Sequence, residues 1–290
     1  MKTGVCSYCF NPAFVAGELT MTQATELVGT RTEADCFEPL SRYWDPDRDE
    51  LTQAREARRQ MDGLGLETSC YTLDSDFAVY DTGATRACID LCIERLQVAE
   101  ALGTDTIRLD PKTSGVDPQS VDVDDVIARM APAMAEIADA AESRGIRVGI
   151  ENHGRLLGSV EHMVALIEQV GRPNAGINID FTNFLAVYGQ DHVEATRTFA
   201  HRVVHAHAKD MPIRDEPAVE EGWRQVPSGQ WVKTSVGGDG DARWPELFRI
   251  LHEAGYDGTV SLEVSDPADL PGSVAAGVTN LKRALRQVVG

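Results

Sequence analysis

Apolar residues along this chain alternate between two periods. Short runs with period two, such as Ile146–Glu151, Ala175–Asp180 and Thr259–Val264, are followed by longer stretches with one apolar face per helical turn. Strands are predicted at about Thr3–Tyr8, Ala34–Glu38, Leu66–Tyr71, Thr106–Leu109, Ile146–Glu151, Ala175–Asp180, Val203–Lys209 and Thr259–Val264. A helix is predicted from near Thr22, capped by Thr20 or Thr22. Further helices are predicted over Asp49–Asp62, Thr85–Leu102, Val123–Ser143, Ser159–Val170, His192–His201, Asp241–Glu253 and Leu270–Val289. Gly63, Gly65, Gly103, Gly145 and Gly255 stand where several of these must stop.

No Ser/Pro-rich linker and no shift of composition divides these units, so residues 1–290 are read as one domain. Eight successive β–α units predict an α/β fold with a parallel sheet closed into a single (β/α)8 TIM barrel. An open doubly wound sheet is the alternative. It ordinarily carries a Gly-rich phosphate turn after an early strand, and none is present. The connection Met211–Gly240 is far longer than an ordinary βα loop. It carries Arg214, Trp223, Arg224, Trp231 and Lys233 and is expected to cover the C-terminal face of the barrel as a lid. A surface excursion or an oligomer contact is the other reading.

Composition narrows the partners. The formal net charge of −19 opposes nucleic acid and anionic membrane surfaces. No apolar run reaches the roughly 18–20 residues of a membrane span, and the first residues lack the apolar core of a signal peptide. A cytoplasmic protein is the expectation. All six cysteines, Cys6, Cys9, Cys36, Cys70, Cys88 and Cys92, fall in the first third and are read as reduced, mostly buried thiols. A structural zinc site through Cys6-x-x-Cys9 is the lesser alternative, since no second pair matches it.

The chemistry gathers on Val203–Lys209. One parity of that strand carries His205, His207 and Lys209, and the other carries Val204, Ala206 and Ala208. Polar side chains lined up inside a buried strand are costly as core filler, so this face is expected to look into a polar site. Three other strands end in an acid whose parity agrees: Glu151 opposes Val148 and Ile150, Asp180 opposes Ile177 and Ile179, and Glu263 opposes Val260 and Leu262. Any one of these acids is more simply a salt-bridged or capping residue at a strand end. Four matched positions on four successive strands point to a shared divalent cation, because converging carboxylates repel without one. Two Glu, one Asp and one His suit one Mn²⁺, Co²⁺ or Mg²⁺ ion and admit Zn²⁺ or Fe²⁺.

Four stretches then carry a resemblance: Ile150-Glu151-Asn152-His153, Asp180-Phe181-Thr182-Asn183, His205-Ala206-His207-Ala208-Lys209-Asp210, and Gly255 through Glu263. Together they resemble the sugar phosphate isomerase/epimerase superfamily, the xylose isomerase-like barrels. The resemblance runs the whole chain in order and is strongest after residue 145. It implies that Glu151, Asp180, His207 and Glu263 bind one metal, and that Glu151 and Glu263 also act as the acid/base pair of a sugar or keto-polyol isomerase or epimerase working through an enediolate. Dehydration, as in inosose dehydratases, and carbon–glycoside cleavage use the same kind of site. A barrel that binds sugar without turning it over is the reading from a different class. The DNA-repair nucleases of the superfamily need further His ligands, yet no His precedes His153 and Asn183 stands where they want one.

Lys209, His153, Asn183 and Trp231 are the expected contacts to an unphosphorylated small-molecule sugar or polyol, with core or lid packing the other reading of Trp231, and His205 either supports a metal ligand, contacts a substrate hydroxyl or is structural. Lys209 is alternatively an ion-pair partner of Asp110 or Glu38, and a homo-oligomer is allowed.

Overall fold

The computed structural model describes residues 1–217, 219–263 and 269–289, so Val264, at the end of the last expected strand, lies outside the described residues. Eight strand positions form a parallel barrel. In chain order its strands are β1 (Lys2–Cys6), β2 (Cys36–Glu38), β3 (Glu67–Thr68), β4 (Tyr71–Thr72), β5 (Thr106–Leu109), β6 (Arg147–Glu151), β7 (Ala175–Asp180) and β8 (Val203–Ala208). Three short strands follow, β9 (Ile213–Arg214), β10 (Trp223–Gln225) and β11 (Trp231–Lys233), before β12 (Thr259–Leu262). Hydrogen-bonded neighbours run β3-β2-β1-β12-β8-β7-β6-β5-β4.

The expected third strand, Leu66–Tyr71, is broken in two. β3 pairs with β2 and β4 pairs with β5, so the barrel closes across this break, helped by a parallel bridge from Leu40 to Thr72. The expected helix Thr85–Leu102 is also two helices, Thr82–Glu94 and Leu96–Leu102. The first begins early because the Asp81 side chain accepts from the backbone N–H groups of Gly83 and Ala84. Thr20 is the cap expected of the helix Met21–Arg31, in a reciprocal capping box with Gln23. The chain after Cys6 is a 3₁₀ turn, Ser7–Phe10, rather than more strand.

Strand parity follows the sequence pattern. Val148, Ile150, Ile177, Ile179, Ala206, Ala208, Val260 and Leu262 are fully buried. Leu262 lies against the last helix, Leu270–Val289, where a Cβ on Gly277 would meet it at 2.8 Å. Each buried Val, Leu or Ile contributes roughly 1.5–3 kcal/mol, which makes this outer layer the main adhesive between strands and helices. The inner parity is small or polar: a Cβ on Gly4 would stand 2.6 Å from Ser261 Oγ, and one on Gly149 3.0 Å from Asn178 Cβ. A narrow interior of this kind leaves room at its C-terminal end for longer charged side chains.

The long connection after β8 is not irregular. β9, β10 and β11 form an antiparallel three-stranded sheet in the order β10-β11-β9. Its small core joins Val226 and Val232 to Met211 and Ala186, and Arg214 stacks over Trp223 at 4.1 Å from the ring centre. Among the described residues no helix is long and apolar enough to cross a membrane.

Gly176 tests the interior packing. A Cβ there would stand 2.1 Å from the Arg202 carbonyl oxygen and 2.9 Å from Val204 Cγ2. Both are held by the β7–β8 pairing, which shifts register at Ile177/Asn178. Gly176→Ala should therefore lower stability by about 1–3 kcal/mol, read as a drop in the urea midpoint at unchanged slope.

Candidate metal centre

The ends of β6, β7 and β8 and the residue after β12 bring Glu151, Asp180, His207 and Glu263 together. One ligand-type atom from each lies within 4.8 Å of all the others, and all four side chains are buried. His207 turns Nδ1 toward the acids, 3.4 Å from Glu151 Oε1 and 3.3 Å from Glu263 Oε2.

Hydrogen bonds tie up part of this set and leave part of it open. Asp180 caps the helix Phe181–Tyr188, which its sequence did not announce, by accepting with Oδ1 from the backbone N–H groups of Thr182 and Asn183. Its Oδ2 is buried without a hydrogen-bond donor, and so is Glu263 Oε2, among the described residues. Lys209 Nζ approaches those two oxygens at 2.6 and 2.8 Å as an ion pair. Two open carboxylate oxygens, a third acid and an imidazole nitrogen fit a small divalent cation.

Burial and charge pull the acids apart. Burial pushes Asp180 up, and despite Lys209 it reaches about 6. Burial acts the same way on Glu263, but Lys209 and His207 outweigh it and hold that carboxyl down at about 2. Glu151 is held well below the usual carboxylate range because the Arg108 guanidinium outweighs its burial. Burial lowers His207, and the charges of Glu38 and Glu263 override it and raise the imidazole well above its ordinary value.

Arg108 is not singled out by the sequence, and Glu38 is expected there only as an alternative partner of Lys209. Arg108 on β5 donates from both Nε and Nη2 to Glu151 Oε2 and lies 3.5 Å from Asp110. Glu38, at the end of β2, takes His207 Nε2 at 2.8 Å, His205 Nε2 at 2.7 Å and the Thr72 hydroxyl at 2.5 Å. Arg108 is the one basic residue in its predicted strand, and that was the available signal. Glu38 closes a strand like the other acids, but nothing local marks it, since its partners lie up to 169 residues away.

The other expected residues separate. A cavity of about 840 Å³ opens above the centre, and its walls include Tyr8, Asn183, Lys209, Arg224, Lys233 and Glu263. Asn183, Lys209 and two cations of the long connection are therefore at the cavity, whereas Trp231 is not among its lining residues. Trp231 pairs across the small sheet with Arg214 and Gln225, which keeps it in the hairpin framework. His153 lies beside a smaller recess that Lys209, Arg108 and Glu263 also line, and its Nδ1 is 2.8 Å from Asp110 Oδ2.

His205 is not among the residues that line the large cavity. It is buried beneath His207 and borders a polar cavity at the opposite end of the barrel, with Lys2, Glu67 and Thr259. Lys209 pairs with Asp180 and Glu263, not with Asp110 or Glu38, because it follows the last residue of β8 and so stands at the rim. Cys6 and Cys9 form no ligand pair: Cys9 Sγ donates to the Leu262 carbonyl, and Cys6 is buried, as are Cys36, Cys70 and Cys92, with Cys88 half-buried. Two further ligand-type groups, Cys6–Glu38–His207 and Glu38–Cys70–His205, depend on Glu38, whose two oxygens are already engaged.

The fold and this donor set define a parallel barrel with a buried carboxylate–imidazole centre at its C-terminal end. The chain belongs to the xylose isomerase-like TIM barrel family, which matches residues 30–284. Among curated proteins it is 29% identical over 167 residues to the uncharacterized protein YfiH of Bacillus subtilis (strain 168), covering 54% of this chain and 52% of that one. It is 25% identical over 203 residues to the inosose dehydratase of Serratia proteamaculans (strain 568), covering 64% and 66%. With the first of these and several others, the match spans about half the length of the relative. Its fold matches D-psicose 3-epimerase from Clostridium cellulolyticum H10 with a TM-score of 0.75 at 18% identity, over 98% of this chain and 99% of that one. An IOLI protein crystallised with a zinc atom matches with a TM-score of 0.77 at 14% identity over the whole of both chains.

Arg108→Met removes the only guanidinium among the described residues that neutralises Glu151. Breaking a buried pair from one side costs about 3–5 kcal/mol. In the variant, only His207 and His153 still oppose burial at Glu151, so its carboxyl rises and the loss should grow as pH rises from 5 to 8. Urea unfolding at several pH values checks both the size and the slope.

Proposed function

We propose that this chain is a divalent-metal-dependent isomerase or epimerase of a sugar or keto-polyol. The observation that carries the reading is the convergence of Glu151, Asp180, His207 and Glu263 beneath a cavity large enough for a monosaccharide. These four residues would hold the ion, which when bound stabilises negative charge on a carbonyl or hydroxyl oxygen. The family's catalogue of relatives, epimerases and inosose dehydratases among them, supports a carbohydrate substrate.

The chain's own residues divide the remaining work. Glu263 borders the cavity, so it is placed to take a proton from a carbon next to a carbonyl. Glu151 is the second member of the pair and reaches the centre with Oε1, since Arg108 occupies Oε2. Lys209 and Asn183 offer donors to substrate hydroxyls at the cavity wall, and Arg224 and Lys233 close its outer side. The small sheet β9–β11 limits access of water to the reacting carbon.

The clamp on Glu151 favours a second reading, dehydration of a keto-polyol. That reaction needs one base and one acid for the departing hydroxyl. His153 stands ready as the acid: the hydrogen bond to Asp110 outweighs burial and raises its pKa, so it keeps its proton to higher pH. Incubation with a panel of ketoses and inososes in D2O separates the readings. Epimerisation gives deuterium at carbon with no loss of water, dehydration gives an unsaturated or diketo product, and a sugar-binding barrel gives neither.

Protein purified without chelator should carry about one divalent ion per chain, and Asp180→Asn or His207→Ala should lower that content and turnover together. Elemental analysis showing full occupancy in both variants rejects the ligand assignment. Glu263→Gln should reduce kcat by about 10²–10⁴-fold, and near-native turnover would move the proton carrier elsewhere.

A further inference from the structure

Glu38 touches neither the cavity nor the ligand set's open oxygens, yet it is fully buried among polar groups. A buried carboxylate is costly, so its three hydrogen bonds call for an account. A carboxylate can only accept. His207 therefore carries a proton on Nε2, donated to Glu38 Oε1 at 2.8 Å, and Nδ1, on the side of Glu151 and Glu263, is the nitrogen that would give up its proton to an ion. The other oxygen, Oε2, takes His205 Nε2 at 2.7 Å, and Thr72 Oγ1 donates to Oε1 at 2.5 Å. The His205 ring stands edge-on to His207, 5.4 Å between centres, and Ser261 Oγ lies 3.3 Å from its Nε2. The carboxylate is gripped by three groups from two strands besides its own, β8 and β4, so it is held toward His207.

We infer that Glu38 is the positioning residue of the metal centre: it holds the His207 Nε2 proton, fixes the ring's direction and so makes Nδ1 the nitrogen offered to the ion. The inference rests on the metal reading proposed above. His205 and Thr72 act through Glu38, which explains a histidine on the inner parity of β8 that does not line the large cavity.

The test uses the full chain stripped of metal with chelator and titrated with Co²⁺ by calorimetry and visible absorption. Glu38→Gln keeps the shape and one acceptor but removes the charge. It should weaken Co²⁺ binding ~10- to 100-fold and alter the visible bands in protein that circular dichroism shows to be folded. Glu38→Asp, which keeps the charge, should recover part of the affinity. Wild-type affinity in a folded Glu38→Gln protein overturns the inference and leaves the metal centre standing, whereas wild-type protein that takes no Co²⁺ overturns both. A second measurement needs no variant. In Zn²⁺-loaded wild-type protein labelled with ¹⁵N-histidine, His207 should show a protonated Nε2 and a metal-bound Nδ1, and the opposite tautomer overturns the inference.

Discussion

Negative charge that cannot reach water governs the C-terminal end of this barrel. Glu38, Asp110, Glu151, Asp180 and Glu263 are all buried there, against two permanent cations, Arg108 and Lys209. Two positive side chains do not neutralise five carboxylates, so the remainder falls on protonated imidazoles or on a divalent ion. The upward push on His207 and on Asp180 expresses the same deficit. In the proposed reading the ion supplies the missing charge, which links metal binding to the stability of the fold.

Hydrogen bonds decide which oxygens are open to that ion. Asp180 spends Oδ1 on a helix N-terminus and keeps Oδ2, while Glu151 gives Oε2 to Arg108 and keeps Oε1. Glu38 keeps neither, although it is as close to His207 as the others. Similar carboxylates thereby receive different roles from their partners alone. Glu263 is the least restrained of the set and the one that meets the cavity, in keeping with a part in proton transfer.

The excursion between β8 and the helix Trp244–Glu253 turns an open barrel end into a cavity. Asp210 anchors its base by accepting from the backbone N–H groups of Gly238, Gly240 and Ala242. A cover tied down at both ends and stiffened by a sheet of its own is better suited to shaping substrate than to opening wide. Its cations Arg224 and Lys233 give the cavity a positive outer wall in a chain of net charge −19.

The sequence by itself determined the barrel and the inward parity of Glu151, Asp180, His207 and Glu263. Strand alternation is a local property, and one strand suffices to show which side chains share a face. The same reasoning could not reach Arg108 or Glu38, because their meaning lies in partners from other strands, brought in by register and closure. It left His205 between support of a ligand and contact with substrate for a related reason: parity tells which face a residue takes but not its depth along the barrel axis, and two residues of rise carry His205 away from the cavity. The break between β3 and β4 was equally hidden, since closing a barrel is a constraint on all strands at once. Trp231 followed the same rule. Its place was decided by the pairing of β11 with β9 and β10, contacts that exist only once the excursion has folded back on itself.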